Sequence, residues 1–168
     1  MALTAYLKIT AANSGLIKGN VKIKGREDTI AVYAFDHSIT SPRDPASGLP
    51  SGRRQHKPLI ITKEIDPSTP LLYQVLVNNE NISRLELNFW APAASRIAGV
   101  AGAEVNVLRI VLTNANIADI HAEMWNNRVA ENATIPVLET VSFSYQKIEW
   151  TWLQGGITAM DDWESAQV

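Results

Sequence analysis

The chain has no cysteine in its 168 residues. That excludes thiol nucleophiles, zinc–thiolate and iron–sulfur sites, and any disulfide framework. It also lacks the run of about 18 uninterrupted apolar residues that a membrane helix needs, so no membrane insertion is expected. The opening Met1-Ala-Leu-Thr-Ala-Tyr-Leu-Lys8 has neither a basic leader nor a small-residue cleavage site, which predicts synthesis and folding in the cytoplasm without a signal peptide. An excess of positive charge is missing too. The formal net charge is −2, so the global footprint of a nucleic-acid binder is absent and no nucleic-acid partner is expected. With 46% hydrophobic and 19% charged residues, what remains is an ordinary globular composition. A single domain over 1–168 is expected to bury about two-thirds of its unfolded surface and to fold without staples.

The dominant period is two, which predicts strands. Leu3, Ala5, Leu7 and Ile9 alternate with Thr4, Tyr6, Lys8 and Thr10. Ile30 to Ile39 reads as one strand with Tyr33, Phe35 and Ile39 on one side; its other side runs Ile30, Val32, Ala34 and then turns polar at Asp36 and Ser38. Strands are also expected at 59–62, 85–90, 105–112 and 117–125. In the last long strand Val141, Phe143 and Tyr145 share one phase, while Ile148, Trp150 and Trp152 share the other. The slip between Tyr145 and Ile148 predicts a bulge, as where a strand bends around a closing barrel or a two-sheet packing. One helix stands out at about 67–79. Ser68-Thr69-Pro70 supplies a hydroxyl cap and an early proline, Leu71, Leu72, Val75 and Leu76 recur at helical spacing, and Asn78-Asn79 suits a left-handed end. The architecture is mainly β with one flanking helix.

From about 40 to 58 the chain carries Pro42, Pro45, Gly48, Pro50, Gly52 and Pro58, which predicts a long extended loop. Arg43, Arg53, Arg54 and Lys57 against Asp44 leave it at +3, so the rest of the chain stands at −5. The tail after Met160 adds Asp161, Asp162 and Glu164. A basic, proline-stiffened loop on an acidic body points to a protein–protein contact, since a stiff loop loses less entropy on docking.

Signs of catalysis are weak. Asp119, His121 and Glu123 share a strand face at i, i+2, i+4. Side chains so placed stand about 7 Å apart, long for a shared metal, and the polar face of a half-buried strand is the better account of them. His37 and His56 have no carboxylate or serine at a recognised catalytic spacing, and G-x-S-x-G and H-E-x-x-H are absent. Gly99-Val-Ala-Gly102 lacks the lysine and hydroxyl of a phosphate loop and reads as a hairpin turn. No enzyme activity, catalytic residue, metal or cofactor is expected.

Several segments taken in order resemble a known family, the haemolysin-coregulated protein (Hcp) of bacterial type VI secretion. They are Tyr6-Leu-Lys-Ile9, Ile17-Lys-Gly-Asn-Val21, His37-Ser38 before the Pro/Gly-rich loop, Thr62-Lys-Glu-Ile-Asp-Pro-Ser-Thr-Pro70-Leu-Leu-Tyr73, and Val141 to Trp152 with a short tail after Gly155-Gly156. The resemblance implies a compact β-barrel of two packed antiparallel sheets with one flanking helix. It also implies a homohexameric ring, with rings stacked into the inner tube of the injection apparatus. That tube is capped by a spike tip protein, enclosed by a contractile sheath, secreted on contraction, and able to carry effector cargo in its lumen. No C-terminal effector extension is expected on a chain ending at Val168. On this view Arg43, Arg53, Arg54 and Lys57 form a ring-stacking loop, Asp161, Asp162 and Glu164 are its acidic partners, and Asp36 and Ser38 face the lumen. A monomeric β-barrel module that binds a ligand or partner is the alternative; a hydrolase built on the Asp119–His121–Glu123 face is a third reading.

Overall fold

The computed structural model describes residues 3–93 and 104–163. Eleven strands are found among them: β1 (Thr4–Ala11), β2 (Gly15–Ile17), β3 (Ile30–Val32), β4 (Ala34–Asp36), β5 (Ile39–Thr40), β6 (Gln55–His56), β7 (Leu59–Glu64), β8 (Ile82–Pro92), β9 (Glu104–Glu123), β10 (Leu138–Trp152) and β11 (Ile157–Asp162). One α-helix, α1 (Thr69–Val77), lies between β7 and β8. Antiparallel ladders run β1–β8–β9–β10–β7–β4, and β3 pairs back onto β1. Because β3 and β4 are consecutive, and the intervening Tyr33 N–H donates to Thr62 C=O at 2.8 Å, the sheet closes into a barrel. Its filling comes from alternate residues of β1, β3, β7, β8, β9 and β10, including Leu7 and Ile9, Ile30, Leu59 and Ile61, Leu85 and Leu87, Leu112, and Val141 and Phe143. Leu72 and Val75 of α1 join the same core.

Three expectations change. The single strand over 30–39 is split three ways, since β3 pairs with β1, β4 with β7, and β5 with β6. The chain crosses between neighbours at Tyr33, so Ala34 is exposed where continuous alternation would have buried it. Second, the two strands over 105–112 and 117–125 are one, β9. The polar Thr113-Asn-Ala-Asn116 separates the two expected strands in sequence, yet pairing with β10 continues through it. Asn114 takes a left-handed φ of 50° and its amide donates to Gln146 Oε1 at 2.7 Å. Inward-facing residues change phase on both strands at this point, Leu112 to Ala115 on β9 and Tyr145 to Ile148 on β10, so the slip expected in the last long strand is present. Third, beyond the slip only Ile148 of its expected phase is buried; Trp150 is half-buried, Trp152 is exposed, and Thr151 turns inward instead. The Gly99–Gly102 turn lies outside the described residues.

The helix ends as expected at one end only. Asn79 adopts φ 47° after the last turn. At the other end Ser68 makes no cap bond, and its hydroxyl donates instead to Asp66 Oδ1. Asp66 belongs to a buried ion cluster centred on Lys63, whose Nζ lies 2.9 Å from Asp66 Oδ1, 3.2 Å from Thr69 Oγ1 and 2.5 Å from Glu139 Oε1. Lys63 and Glu139 are both 0% exposed. The Thr62–Pro70 segment is therefore a unit in which a strand lysine, a turn aspartate and a helix-start threonine are tied to β10.

Candidate functional site: the basic hairpin and its base

Residues 39–56 fold as a hairpin. β5 pairs with β6, Arg43 bridges to Pro50, and Ser51 N–H donates to Pro42 C=O at 3.0 Å. At the tip Asp44 N–H donates to Leu49 C=O at 2.9 Å and Gly48 N–H to Asp44 C=O at 2.8 Å, and the Asp44 carboxylate accepts from Ala46 N–H at 3.0 Å and from Ser47 Oγ at 2.7 Å. The result is an ordered arm rather than a slack loop. Arg43, Arg53 and Lys57 are exposed on it, and Leu49 at the tip is 66% exposed.

Arg54 behaves differently from the other three cations. Its Nε and Nη2 donate to both oxygens of Asp161 on β11, and Nη2 reaches Asp162 C=O at 3.0 Å. The structure thus brings together, within one subunit, two side chains that the sequence assigns to opposite sides of a contact between subunits. Asp162 follows on β11, and Glu164 lies outside the described residues. Asp36 ends β4 and Ser38 lies two residues beyond it; neither is buried.

Sequence spacing missed the residues beneath that ion pair. His56 Nε2 lies 2.7 Å from Asp161 Oδ2, and His56 Nδ1 lies 2.9 Å from the Tyr145 hydroxyl. His37 Nε2 lies 2.6 Å from the same hydroxyl. Three segments that are remote in sequence, 37–38, 54–56 and 161–162, thus meet on the β10 residue at the phase slip. A buried tyrosine needs a partner for its hydroxyl, and that was the available signal. The guanidinium of Arg54 holds the Asp161 carboxyl below the usual carboxylate range, against the opposing effect of burial. Burial and then Asp161 push the Tyr145 phenol up, so it stays protonated and is a poor nucleophile. Burial, then repulsion from His56, pulls His37 down, while Asp36 opposes both. Beside the cluster is an open groove of about 680 Å³ lined by His56, Lys57, Pro58, Ser144, Tyr145 and Trp163, among others.

Asp119, His121 and Glu123 lie on β9 without being buried, and among the described residues no group of three or more His, Cys, Asp or Glu is placed to hold a metal. No helix of the described residues is long and apolar enough to cross a membrane.

A closed barrel with one helix inserted after a buried Lys–Asp–Thr motif, and an ordered arm rooted on its last strands, can be compared directly with known proteins. Residues 6–152 match the family described as type VI secretion system effector, Hcp. The chain belongs to the Hcp family. It is 38% identical to the major exported protein of Pseudomonas aeruginosa, across 98% of each chain. Among solved structures, an Hcp protein superposes with a TM-score of 0.86 at 32% identity, over 98% of this chain and 100% of that one. Hcp1 of Escherichia coli EAEC 042, in a double-mutant form, gives 0.82 at 30% identity, over 96% and 99%. This Hcp chain is a secreted tube protein of type VI secretion.

Proposed function

We propose that this Hcp chain assembles as a homohexameric ring and that rings stack, arm into neighbour, to form the inner tube, with effector cargo in the lumen. The spike tip protein and the contractile sheath are its further partners. The observation that carries this reading is the arm itself: ordered to its tip, rooted on β10 and β11, and displaying Arg43, Arg53 and Lys57 on a chain of opposite net charge. Such rim charges contribute little energy per pair but select partner and register. The acidic tail residues Asp162 and Glu164 are candidate counterparts in the next ring by charge, and the Asp161 carboxylate is held by Arg54 within the subunit. Ring closure needs head-to-tail interfaces. Support comes from β11, which pairs with β10 on one side and carries Ile157 and Met160 at 69% and 66% exposure, an edge unsuited to free solution. Asp36 and Ser38 are assigned to the lumen wall, where polar side chains keep passing cargo from sticking.

The test is the stacking equilibrium measured by sedimentation and electron microscopy at rising salt. Arg43→Glu with Arg53→Glu, leaving Arg54 in place, is expected to give intact rings that stack at least about tenfold more weakly, the effect of roughly 1.4 kcal/mol summed over the rim. A strict monomer at high concentration, or stacks indifferent to both salt and charge reversal, would refute the proposal.

A further inference from the structure

The hydrogen bonds at the base of the arm have a defined direction. With both imidazoles neutral, His56 Nε2–H donates to Asp161, so His56 Nδ1 must accept, and the donor 2.9 Å away is the Tyr145 hydroxyl. That leaves the phenolic oxygen free to accept from His37 Nε2–H at 2.6 Å. Every donor in the line then has one acceptor. A single added proton is accommodated by reversing the line: His56 Nδ1–H donates to Tyr145, whose hydroxyl donates to a neutral His37 Nε2. A second proton is not. Both rings would then donate to one oxygen, the Tyr145 hydroxyl hydrogen would lose its acceptor, and two imidazolium charges would sit on either side of one buried phenol.

We propose that the His37–Tyr145–His56–Asp161–Arg54 line is a proton-limited clasp, which fixes the base of the arm to the barrel with at most one of its histidines protonated and opens when a second proton enters. The clasp lies among the ties, side-chain and backbone, that join the base of the arm to the barrel. Arg54 and His56 reach β11, His56 reaches β10, and Lys57 N–H donates to Ser38 C=O at 3.0 Å beside His37. The charged groups facing it oppose one another locally. Arg54 and Asp161 neutralise each other, Asp36 on β4 favours a charged His37, Lys57 is the cation next in sequence to His56, and Asp162 lies beyond Arg54. Aromatic rings pack on both histidines: Phe35 stands 6.5 Å and Trp150 6.3 Å from His37, and Trp163 stands 5.3 Å from His56, ring centre to ring centre. The lowered His37 proton affinity agrees with this geometry.

The open arm takes up one more proton than the closed arm. Closure is therefore complete above the ordinary histidine range, near about pH 6.5, and the opening constant rises about tenfold per pH unit below it. The clasp is a property of one subunit and does not rest on ring stacking.

Hydrogen exchange of the full chain between about pH 7.5 and 4.5, a span that brackets the histidine range, tests this when corrected for intrinsic rates and repeated at two protein concentrations. Protection of residues 39–57 is expected to fall about tenfold per pH unit below about 6.5, while barrel residues 59–64 keep theirs. His37→Gln retains a donor to Tyr145 but cannot take the second proton, and it should hold the arm protected throughout this range. Exchange at the His37 imidazole C2–H provides a second measurement that needs no variant: His37 should take its proton below the ordinary histidine range. A His37 that titrates in the ordinary range, an arm whose protection is flat with pH, an unchanged fall in His37→Gln, a fall shared with 59–64, or one that depends on concentration would each overturn the proposal.

Discussion

Lys63 offers the sharpest test of how the barrel and its helix are joined. Its ammonium group is buried and meets Glu139, Asp66, Thr69 Oγ1 and, at 2.8 Å, Glu64 C=O. In Lys63→Met the apolar stem is largely conserved, so the packing loss is small and the electrostatic loss dominates. Two carboxylates are left in a dry site, and Glu139 Oε2 already has no hydrogen-bond partner among the described residues. Removing one member of a buried ion pair costs about 3–5 kcal/mol, against a total stability of roughly 5–15 kcal/mol for a domain. For a chain of this size that corresponds to a loss of about 10 °C in Tm. Lys63→Met with Glu139→Leu should recover most of it, because an apolar pair of similar volume avoids the desolvation that the ion pair must overcome. The assay is urea unfolding at one fixed protein concentration, since ring formation shifts apparent stability by mass action. A single-variant cost below about 1 kcal/mol, or a double variant no better than the sum of the two single ones, would show that the charges of this cluster do not depend on one another for their stability.

Other consequences are more local. Gly19→Ala should be among the most damaging small substitutions, because a Cβ there would lie 2.3 Å from Thr29 C=O and 2.9 Å from Ile30 Cα; a loss of several kcal/mol in unfolding free energy is expected, and a neutral variant would contradict the backbone approach. Asn114→Ile should cost about 1–2 kcal/mol and Asn114→Gly well under about 1, since the left-handed φ and not the amide bond dominates; equal costs would reverse that ranking. Stability should also depend on pH through Asp161. Its carboxyl is held below the usual range in the folded chain, so the contribution is present above about pH 4 and is lost as pH falls through the folded value. Asp161→Asn should flatten that acid limb in thermal melts and loosen the arm at neutral pH, and an unchanged limb would remove Asp161 from the account.

Much of this protein was legible without coordinates, for a physical reason. Alternation over β1, β7, β8 and β10 follows from a strand burying every second residue, so a mainly β chain with one helix could be read from pattern alone. Local backbone chemistry was equally readable: Pro70 near the helix start, Asn79 at its end, and the phase slip after Tyr145 are each set by neighbours in sequence. The family resemblance rested on such segments, and Lys63, Asp66 and Thr69 show what one of them does. Residues 30–39 and 113–116 were misread because their fate depends on which strand lies alongside. Only closure of the barrel made Tyr33 a crossing point and let β10 carry β9 through its polar middle. Arg54 and Asp161 have the right charges for partners in different subunits; that they meet within one chain is a fact about how the arm folds onto β11. The same holds for His37, Tyr145 and His56. No spacing rule connects them, because their hydrogen bonds, at 2.6 and 2.9 Å, run between segments that only the closed sheet brings together.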